Sequence, residues 1–593
     1  MEQEMEEMKR EESGNSQKWV YDSSVDYKGK VPLRASTGVW KASLFIITIE
    51  FSERLNFFGI ATNLITYLTQ IIHQDLNTAA KNVNYWVGFT TIVPLIGGFL
   101  ADAYTGRYTM VLFSSYVYLM GLSLLTMSQF IPTIKPCKNT STENCQHPRK
   151  IHDVIFFLAL YMISIGTGGY KPCLESFGAD QFDDDHSQER RKKMSFFNWW
   201  NFALCCGIFL GVTVIVYIQD YVSWGVAFLI LTITLAISIV TFYVGRTFFR
   251  YRVPQGSPLT PMIQVLIAAI RKRKLASPLD PSLLYEVPKS EMIHGRLLYH
   301  TNRLGFLDKA AIVEEKDQDD LDQQKQSNPW RLATVTRVEE LKLILNTIPV
   351  WLTSLAFGVT VAQSSTFFVK QAATMNLKIN DNFSIPPASV SCVAAIAMII
   401  SVTLYDRIVV PFLRRTTGNE RGLSILNRIG FGLIFSVVAM FVSALVEQKR
   451  RGAYAEKRSL SVFWLVPQYV ILGAGDGFTL VGLQEYFYDQ VPDSMRSLGI
   501  ALYLSILGVG SYLSSFLITV VDHVTEKTSG KGWIGKDMKT SRLDKFYWFL
   551  AAINGVNLCL YVIVTRGYTY KNVDRDTEKN GVNGSVENGI EQI

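Results

Sequence analysis

Five consecutive residues, Glu50-Phe51-Ser52-Glu53-Arg54, place three ionisable groups inside an otherwise apolar run. On a helix, offsets of three and four residues fall on one face. Hydrocarbon cannot receive such a face, because each charge costs about 2.5–3.5 kcal/mol at the centre of a membrane helix on insertion scales. The three groups must line an aqueous cavity and pair among themselves. A pair that only ties helices together is the competing reading, but it needs one acid for Arg54, and here there are two. A carboxylate beside a low-dielectric cavity has its proton affinity raised by desolvation and lowered by a neighbouring arginine. Opening and closing the cavity then changes whether the carboxylate holds a proton, which is the chemistry that couples proton uptake to conformation.

Two further places carry charge within apolar sequence. Lys171 lies in Gly166-Thr167-Gly168-Gly169-Tyr170-Lys171-Pro172, with Glu175 one turn later. The glycines permit close helix approach and Pro172 bends the helix, so Lys171 reads as a counter-charge to the acids at 50 and 53. The alternative is a lysine snorkelling to the membrane interface. Glu485, in Gly482-Leu483-Gln484-Glu485-Tyr486-Phe487-Tyr488, and Asp476, nine residues earlier, fall on nearly opposite sides of an ideal helix. One of the two is expected to face a cavity. Glu485 is favoured as the substrate-facing residue, against the alternatives that it closes a cytosolic gate or caps the helix.

The elements that must position these residues are membrane helices. The chain has 593 residues, 48% hydrophobic and 18% charged, whereas soluble domains average about 25% charged. Apolar runs of about 20 residues occur at 42–70, 83–104, 108–131, 151–175, 196–219, 222–246, 341–363, 390–413, 423–446, 462–488, 496–520 and 546–565. An all-α membrane protein with twelve transmembrane helices in two six-helix halves follows. Residues 1–41 form a cytosolic tail, 42–246 the first half, 247–340 a cytosolic linker, 341–565 the second half and 566–593 a polar, disordered tail. Within the linker, Met262, Ile263, Val265, Leu266 and Ile270 precede Arg271-Lys272-Arg273-Lys274. That pattern suits an amphipathic helix lying on the membrane surface or packed on the protein's own flank.

Orientation follows from basic loops. Arg190 to Lys193, Arg271 to Lys274, and Arg414, Arg415 and Arg421 favour a cytosolic side that also holds both termini. Lys449, Arg450, Arg451, Lys457 and Arg458, with the lysines between 527 and 545, fall on the far side and violate the rule. The sequons at Asn139 and Asn382 and the pair Cys137 and Cys145 lie in far-side loops, where glycosylation and a disulfide bridge are feasible. No cysteine or histidine spacing resembles a metal site. Net charge is +7, but its basic residues are scattered through loops of an apolar chain, which argues against nucleic-acid binding. The first forty residues lack the apolar core and cleavage site of a signal peptide.

The two halves echo each other faintly. After the second run comes Gly97-Gly98-Phe99-Leu100-Ala101-Asp102-Ala103-Tyr104-Thr105-Gly106-Arg107, and after the eighth Asp406-Arg407, Arg414-Arg415 and Gly418. Parallel six-helix repeats around a central site are the architecture of major-facilitator transporters. The first turn resembles their cytosolic gating loop, with Asp102, Gly106 and Arg107 in its key places.

Glu50-Phe51-Ser52-Glu53-Arg54, Gly168-Gly169-Tyr170-Lys171-Pro172 through Phe177-Gly178-Ala179-Asp180-Gln181-Phe182, and Phe196-Phe197-Asn198-Trp199-Trp200 resemble the proton-dependent oligopeptide transporter family. Leu307-Asp308-Lys309-Ala310-Ala311-Ile312 and Asn328-Pro329-Trp330-Arg331-Leu332 are similar to its plant nitrate/peptide branch. The resemblance implies a major-facilitator fold with alternating access, proton coupling through Glu50, Glu53 and Arg54, a counter-charge at Lys171 and substrate contact at Glu485. Peptide-transporting members follow the glutamate-arginine pair with two tyrosines. Here Phe57 and Phe58 stand there, two hydroxyls are missing, and dipeptides are disfavoured. Val361 stands where nitrate binding in the family uses a histidine, which disfavours a histidine-dependent nitrate site.

The expected function is a proton-coupled symporter, monomeric in function, that moves a small polar or anionic solute across the plasma or vacuolar membrane without a cofactor. Nitrate, peptides, hormones and secondary metabolites are the candidate solutes. The alternatives are a proton-independent facilitative carrier or a nutrient sensor on the same scaffold. An intramembrane enzyme would need a nucleophile or histidine constellation within the spans, and none is visible.

Overall fold

The computed structural model describes residues 18–568, apart from 21–23, 133, 135–149, 184–185, 253, 255, 257–258, 276–282, 287–297, 299, 315–327, 382, 418–422 and 493–495. Asn139, Cys137, Cys145 and Asn382 lie outside the described residues. The chain divides into two compact units, one of Met1–Gly256, Thr353–Gln484 and Ala501–Val562, the other of Ser257–Leu352, Glu485–Ile500 and Ile563–Ile593.

The first unit begins with six long helices: α1 (Val39–Ala61), α2 (Leu76–Leu100), α3 (Arg107–Phe130), α4 (Lys150–Ala179), α5 (Ser187–Leu210) and α6 (Trp224–Val244). The apolar run from 42 to 70 is not one helix. It breaks after Ala61 and resumes as Leu64–Gln70. Helix α2 starts at Asp75, whose carboxylate accepts the Thr78 amide at 3.0 Å. That bond satisfies one of the amides every helix start leaves open. Helix α1 packs on α5 and α6, and α4 packs on α3 and α2. Glycine sets the closest approaches: a Cβ at Gly97 would sit 2.2 Å from the Gly168 carbonyl oxygen, and one at Gly207 would sit 2.7 Å from that of Phe51.

After the linker helix α7 (Leu259–Arg271) come α8 (Val335–Ala362), α9 (Cys392–Leu404), α10 (Ile425–Ala455), α11 (Val466–Gln490), α12 (Arg496–Ser529) and α13 (Leu543–Arg566). Among the described residues ten helices are long and apolar enough to cross a membrane. With α1 and α11 they make the expected twelve. Those two fall short on apolarity because they carry Glu50, Glu53 and Arg54, and Asp476, Glu485 and Asp489.

Helix α10 runs nine residues beyond the apolar run that ends at 446. The extension is sustained by Glu447, fully buried and 2.6 Å from Arg450. Gln371 donates to the same carboxylate at 2.9 Å. Basic residues that break the orientation rule are neutralised here: Arg450 by Glu447, Arg451 by Asp544 at 2.7 Å, and Lys449 by the face of Trp464.

Residues Ser24–Val25 pair antiparallel with Tyr251–Arg252, strapping the N-terminal segment to the end of the first six helices. Arg34 reaches Asp183 at 2.8 Å and Glu189 at 2.5 Å, and the fully buried Arg250 reaches Glu189 at 2.7 Å.

In the second unit, α7 buries Val265, Ala268 and Ala269 against Leu307, Ala310, Ala311, Val338 and Leu341. Ile263, Leu266 and Ile270 remain exposed on its other side.

Candidate functional site

The site is built outward from α1. Arg54 Nε lies 2.6 Å from Glu50 Oε1 and 3.3 Å from Glu53 Oε2, so the three charges share one helical face and pair among themselves. Both acids are buried, at 2% and 1% exposure, while the arginine keeps 17% of its side chain accessible. The pairs are unequal. Glu50 accepts a hydrogen bond from Arg54, whereas both Glu53 oxygens are buried without any hydrogen-bond partner. Glu53 thus feels the Arg54 charge without being fixed by it. Gly207 of α5 clears the space for this turn, since a Cβ there would meet the Arg54 Cβ at 2.9 Å.

Lys171 enters from α4. Its ammonium does not snorkel to an interface but stands 4.1 Å from the ring centroid of Phe57, one turn after Arg54 on α1. It makes no ion pair among the described residues, yet lies within electrostatic range of Glu53, Arg54 and Glu50. Phe57 is in turn stacked on Trp86 of α2 with centroids 5.8 Å apart, and the Trp86 indole donates to the Leu160 carbonyl of α4 at 3.0 Å. The glycines around Lys171 do what their spacing implies: Gly166 takes the backbone of Tyr118, Gly168 takes Val93, and Gly169 takes Ser114. Glu175, one turn on, is exposed and within range of Arg54.

The arrangement is a two-cation, two-acid cluster with one acid lacking a hydrogen bond and one cation held on an aromatic face. A proton placed on Glu53 breaks no hydrogen bond. It removes a negative charge that acts on both Arg54 and Lys171. The Phe57–Lys171 contact escaped sequence reasoning, which treated Phe57 only as a lost hydroxyl. Proximity of residues more than a hundred positions apart leaves no local trace.

Asp102, Gly106 and Arg107 also come together. Arg107 lies 3.0 Å from Asp102 and 2.6 Å from Asp180, at the end of α4, while Arg252 approaches Asp180 at 3.2 Å. Gly106 has φ of 77°, a conformation costly for residues with a Cβ, so the turn into α3 calls for glycine. The pairing of Asp180 with Arg107 and Arg252 was not evident from the loop alone.

On α11, Asp476 belongs to the first unit and Glu485 to the second, where it is half-buried. His300, Asp308 and Glu339 cluster closely enough to ligate a metal ion. The Lys342 ammonium already stands 2.6 Å from Asp308 and 2.8 Å from Glu339, which supplies the cluster with a cation of its own.

Comparison with known proteins adds three findings. The model of the POT family matches residues 108–534. Protein NRT1/PTR family 5.6 of Arabidopsis thaliana is 58% identical, over 94% of this chain and 96% of its own length. Protein NRT1/PTR family 5.7 of the same plant is also 58% identical, over 94% and 93%. Among solved structures, an auto-inhibited POT family peptide transporter is similar with a TM-score of 0.67, 18% identity, and 90% and 98% coverage of the two chains. The POT family transporter PepTSo gives 0.66, 18%, and 89% and 98%. At such identity these last two speak to fold.

Proposed function

The chain belongs to the POT family, and we propose that this membrane transporter takes its driving force from protons bound and released at the α1 cluster. The observation that carries the reading is Glu53: a buried carboxylate 3.3 Å from Arg54 with neither oxygen in a hydrogen bond. Glu50 keeps Arg54 oriented, Glu53 carries the proton, and Lys171, waiting on Phe57, answers the change of charge. When Glu53 is ionised the cluster attracts Lys171 and draws α4 to α1. When it is protonated the attraction weakens and the two helices are free to separate. Two protons or one, entering down a membrane potential worth about 2.3 kcal/mol per charge per 100 mV, support accumulation of a solute.

The solute is a small polar or anionic molecule, since Arg54 and Lys171 present positive charge and the ring at Phe57 replaces a hydroxyl. Glu485 is the proposed substrate contact. Asp102, Gly106 and Arg107, with Asp180, form the cytosolic gating loop, and both termini lie on that side of a plasma or vacuolar membrane. The transporter works as a monomer without a cofactor.

The test is uptake in oocytes or proteoliposomes of nitrate, dipeptides, hormones and secondary metabolites at two external pH values. Acid-stimulated uptake of one of them is expected, and it should fall to background in Glu53→Gln with surface abundance unchanged. Undiminished acid-stimulated uptake in that variant would refute the assignment. Currents that persist unchanged without a pH gradient would point to a facilitative carrier, and normal signalling by the flux-dead variant to a nutrient sensor.

A further inference from the structure

One acid outside the α1 cluster has no role in it: Asp476 of α11, half-buried, with one carboxyl oxygen sealed from solvent. Helix α11 is gripped on two sides through glycine. Gly473 and Gly477 face α9, where their Cβ positions would lie 2.1 Å from the Ala394 oxygen and 3.0 Å from Val402, while Gly475 and Gly482 face Phe435 and Ile429 of α10. At 100° per residue these contacts leave two free sides of α11. One carries Val470, Ala474 and Phe478, which line an open apolar groove with Ile396, Ile400 and Leu404 of α9. The opposite side carries Tyr469 and Leu472, both buried, and Asp476. The carboxyl of Asp476 is thus directed inward, and its Oδ1 is buried with no hydrogen-bond partner.

The two gripped sides of α11 meet uncharged neighbours, Ala394, Met398 and Val402 of α9 and Ile429 and Phe435 of α10. Arg428, also on α10, holds its guanidinium 4.5 Å over the Tyr405 ring. Helix α12 brings the phenol of Tyr503 into electrostatic range. Among the described residues no cation is set against Asp476, in contrast to Glu50 and Glu53. An ionised carboxylate in such surroundings is costly unless paired, whereas a neutral carboxylic acid is tolerated.

We propose that Asp476 is a second proton-binding carboxyl, housed in the second half of the molecule and separate from the α1 cluster. In the closed arrangement it holds its proton, and when α11 swings away from α12 and water reaches the carboxyl, the proton leaves to that water. The flanking glycines permit such a swing because α11 itself offers no side chain at these contacts with Ala394, Val402, Phe435 and Ile429. The proposal deepens the reading of the protein as proton-driven and rests on it, since a second proton matters only to a coupled cycle.

Infrared difference spectroscopy of the purified protein in lipid, titrated with acid and base and with no solute added, tests it. A protonated-carboxyl band present near neutral pH is expected to be lost in Asp476→Asn and retained in Glu53→Gln. A spectrum unchanged by Asp476→Asn overturns the second site while leaving the α1 reading intact. The reverse failure, in which Glu53→Gln retains acid-stimulated uptake, would strike the α1 reading alone. Should Asp476→Asn not insert, dicyclohexylcarbodiimide labelling of the wild-type protein decides, because this apolar reagent attacks protonated buried carboxyls. An adduct on the Asp476 peptide that fades as pH rises supports the site, and absence of any adduct there overturns it.

Discussion

At the scale of single residues, the proposed coupling site depends on where Lys171 rests. A cation over an aromatic ring is worth about 0.5 kcal/mol when exposed and about 2 kcal/mol or more when desolvated, and the Lys171 ammonium sits 4.1 Å from the Phe57 centroid. Phe57→Leu keeps bulk and apolarity but removes the ring's negative face. The ammonium then leans on the nearby carboxylates and competes with the proton, so half-maximal uptake should move to lower external pH. Lys171→Ala removes the competitor and should move it the other way. Uptake measured as a function of pH in both variants checks the opposed signs, and shifts in the same direction would contradict the arrangement. That Glu50, Glu53 and Arg54 form one cluster was legible in the sequence, because helical offsets are local. The perch of Lys171 was not, because glycines at 97 and 168 seat α4 on α2 and Gly207 seats α5 on α1, and no spacing reveals those partners.

At the scale of elements, the helices are held by two devices that respond differently to mutation. Where backbone meets backbone, as at Gly97 against Gly168, an added methyl has nowhere to go. Gly97→Ala should cost about 1–3 kcal/mol by overpacking and lower the thermal transition of the purified protein. Gly555→Ala on α13, with nothing within 4 Å of the new Cβ, should leave it unchanged or raise it slightly, as helix propensity favours alanine. Where charge meets charge in the interior, as at Glu447 and Arg450, removing one partner strands the other. Glu447→Gln should cost about 3–5 kcal/mol, and the double variant Glu447→Gln with Arg450→Met should recover most of it, as measured by thermal unfolding in detergent. Apolar runs revealed nearly every helix, since the bilayer thickness demands about 20 such residues. Their ends were less legible. Helix α10 outruns its apolar run because Glu447 and Arg450 neutralise each other, and the positive charges that seemed to violate the orientation rule at 449–451 are answered by Glu447, Asp544 and Trp464.

At the scale of the whole transport unit, alternating access requires that the two six-helix halves touch on one side at a time. Contacts between the halves are present near the start of α2. Asn77 donates to Asp522 of α12, the Leu76 amide donates to the Lys536 carbonyl at 2.9 Å, Lys370 donates to Thr69 at 2.9 Å, and Ser389 donates to the Val212 carbonyl at 2.8 Å. The other end of α2 runs into the Asp102–Arg107–Asp180 network, which lies wholly within the first half. This polar seam is therefore among the contacts that must part when the transporter opens on the side of Asn77, together with Asn84 on Ser514 and the close packing of Gly88 on Gly508 further along α2. Polar contacts suit that task, because water replaces each hydrogen bond as the seam opens and the net cost per bond is only about 0.5–1.5 kcal/mol. Joining the halves covalently should arrest the cycle without unfolding either one. In a background lacking all seven native cysteines, Asn77→Cys with Asp522→Cys, oxidised or bridged by a short bis-thiol reagent, should abolish uptake. Reduction should restore it after oxidation, and each single variant should keep most of its activity. Uptake that survives complete cross-linking, verified by mass spectrometry, would mean that the seam stays shut throughout the cycle and that the halves part elsewhere.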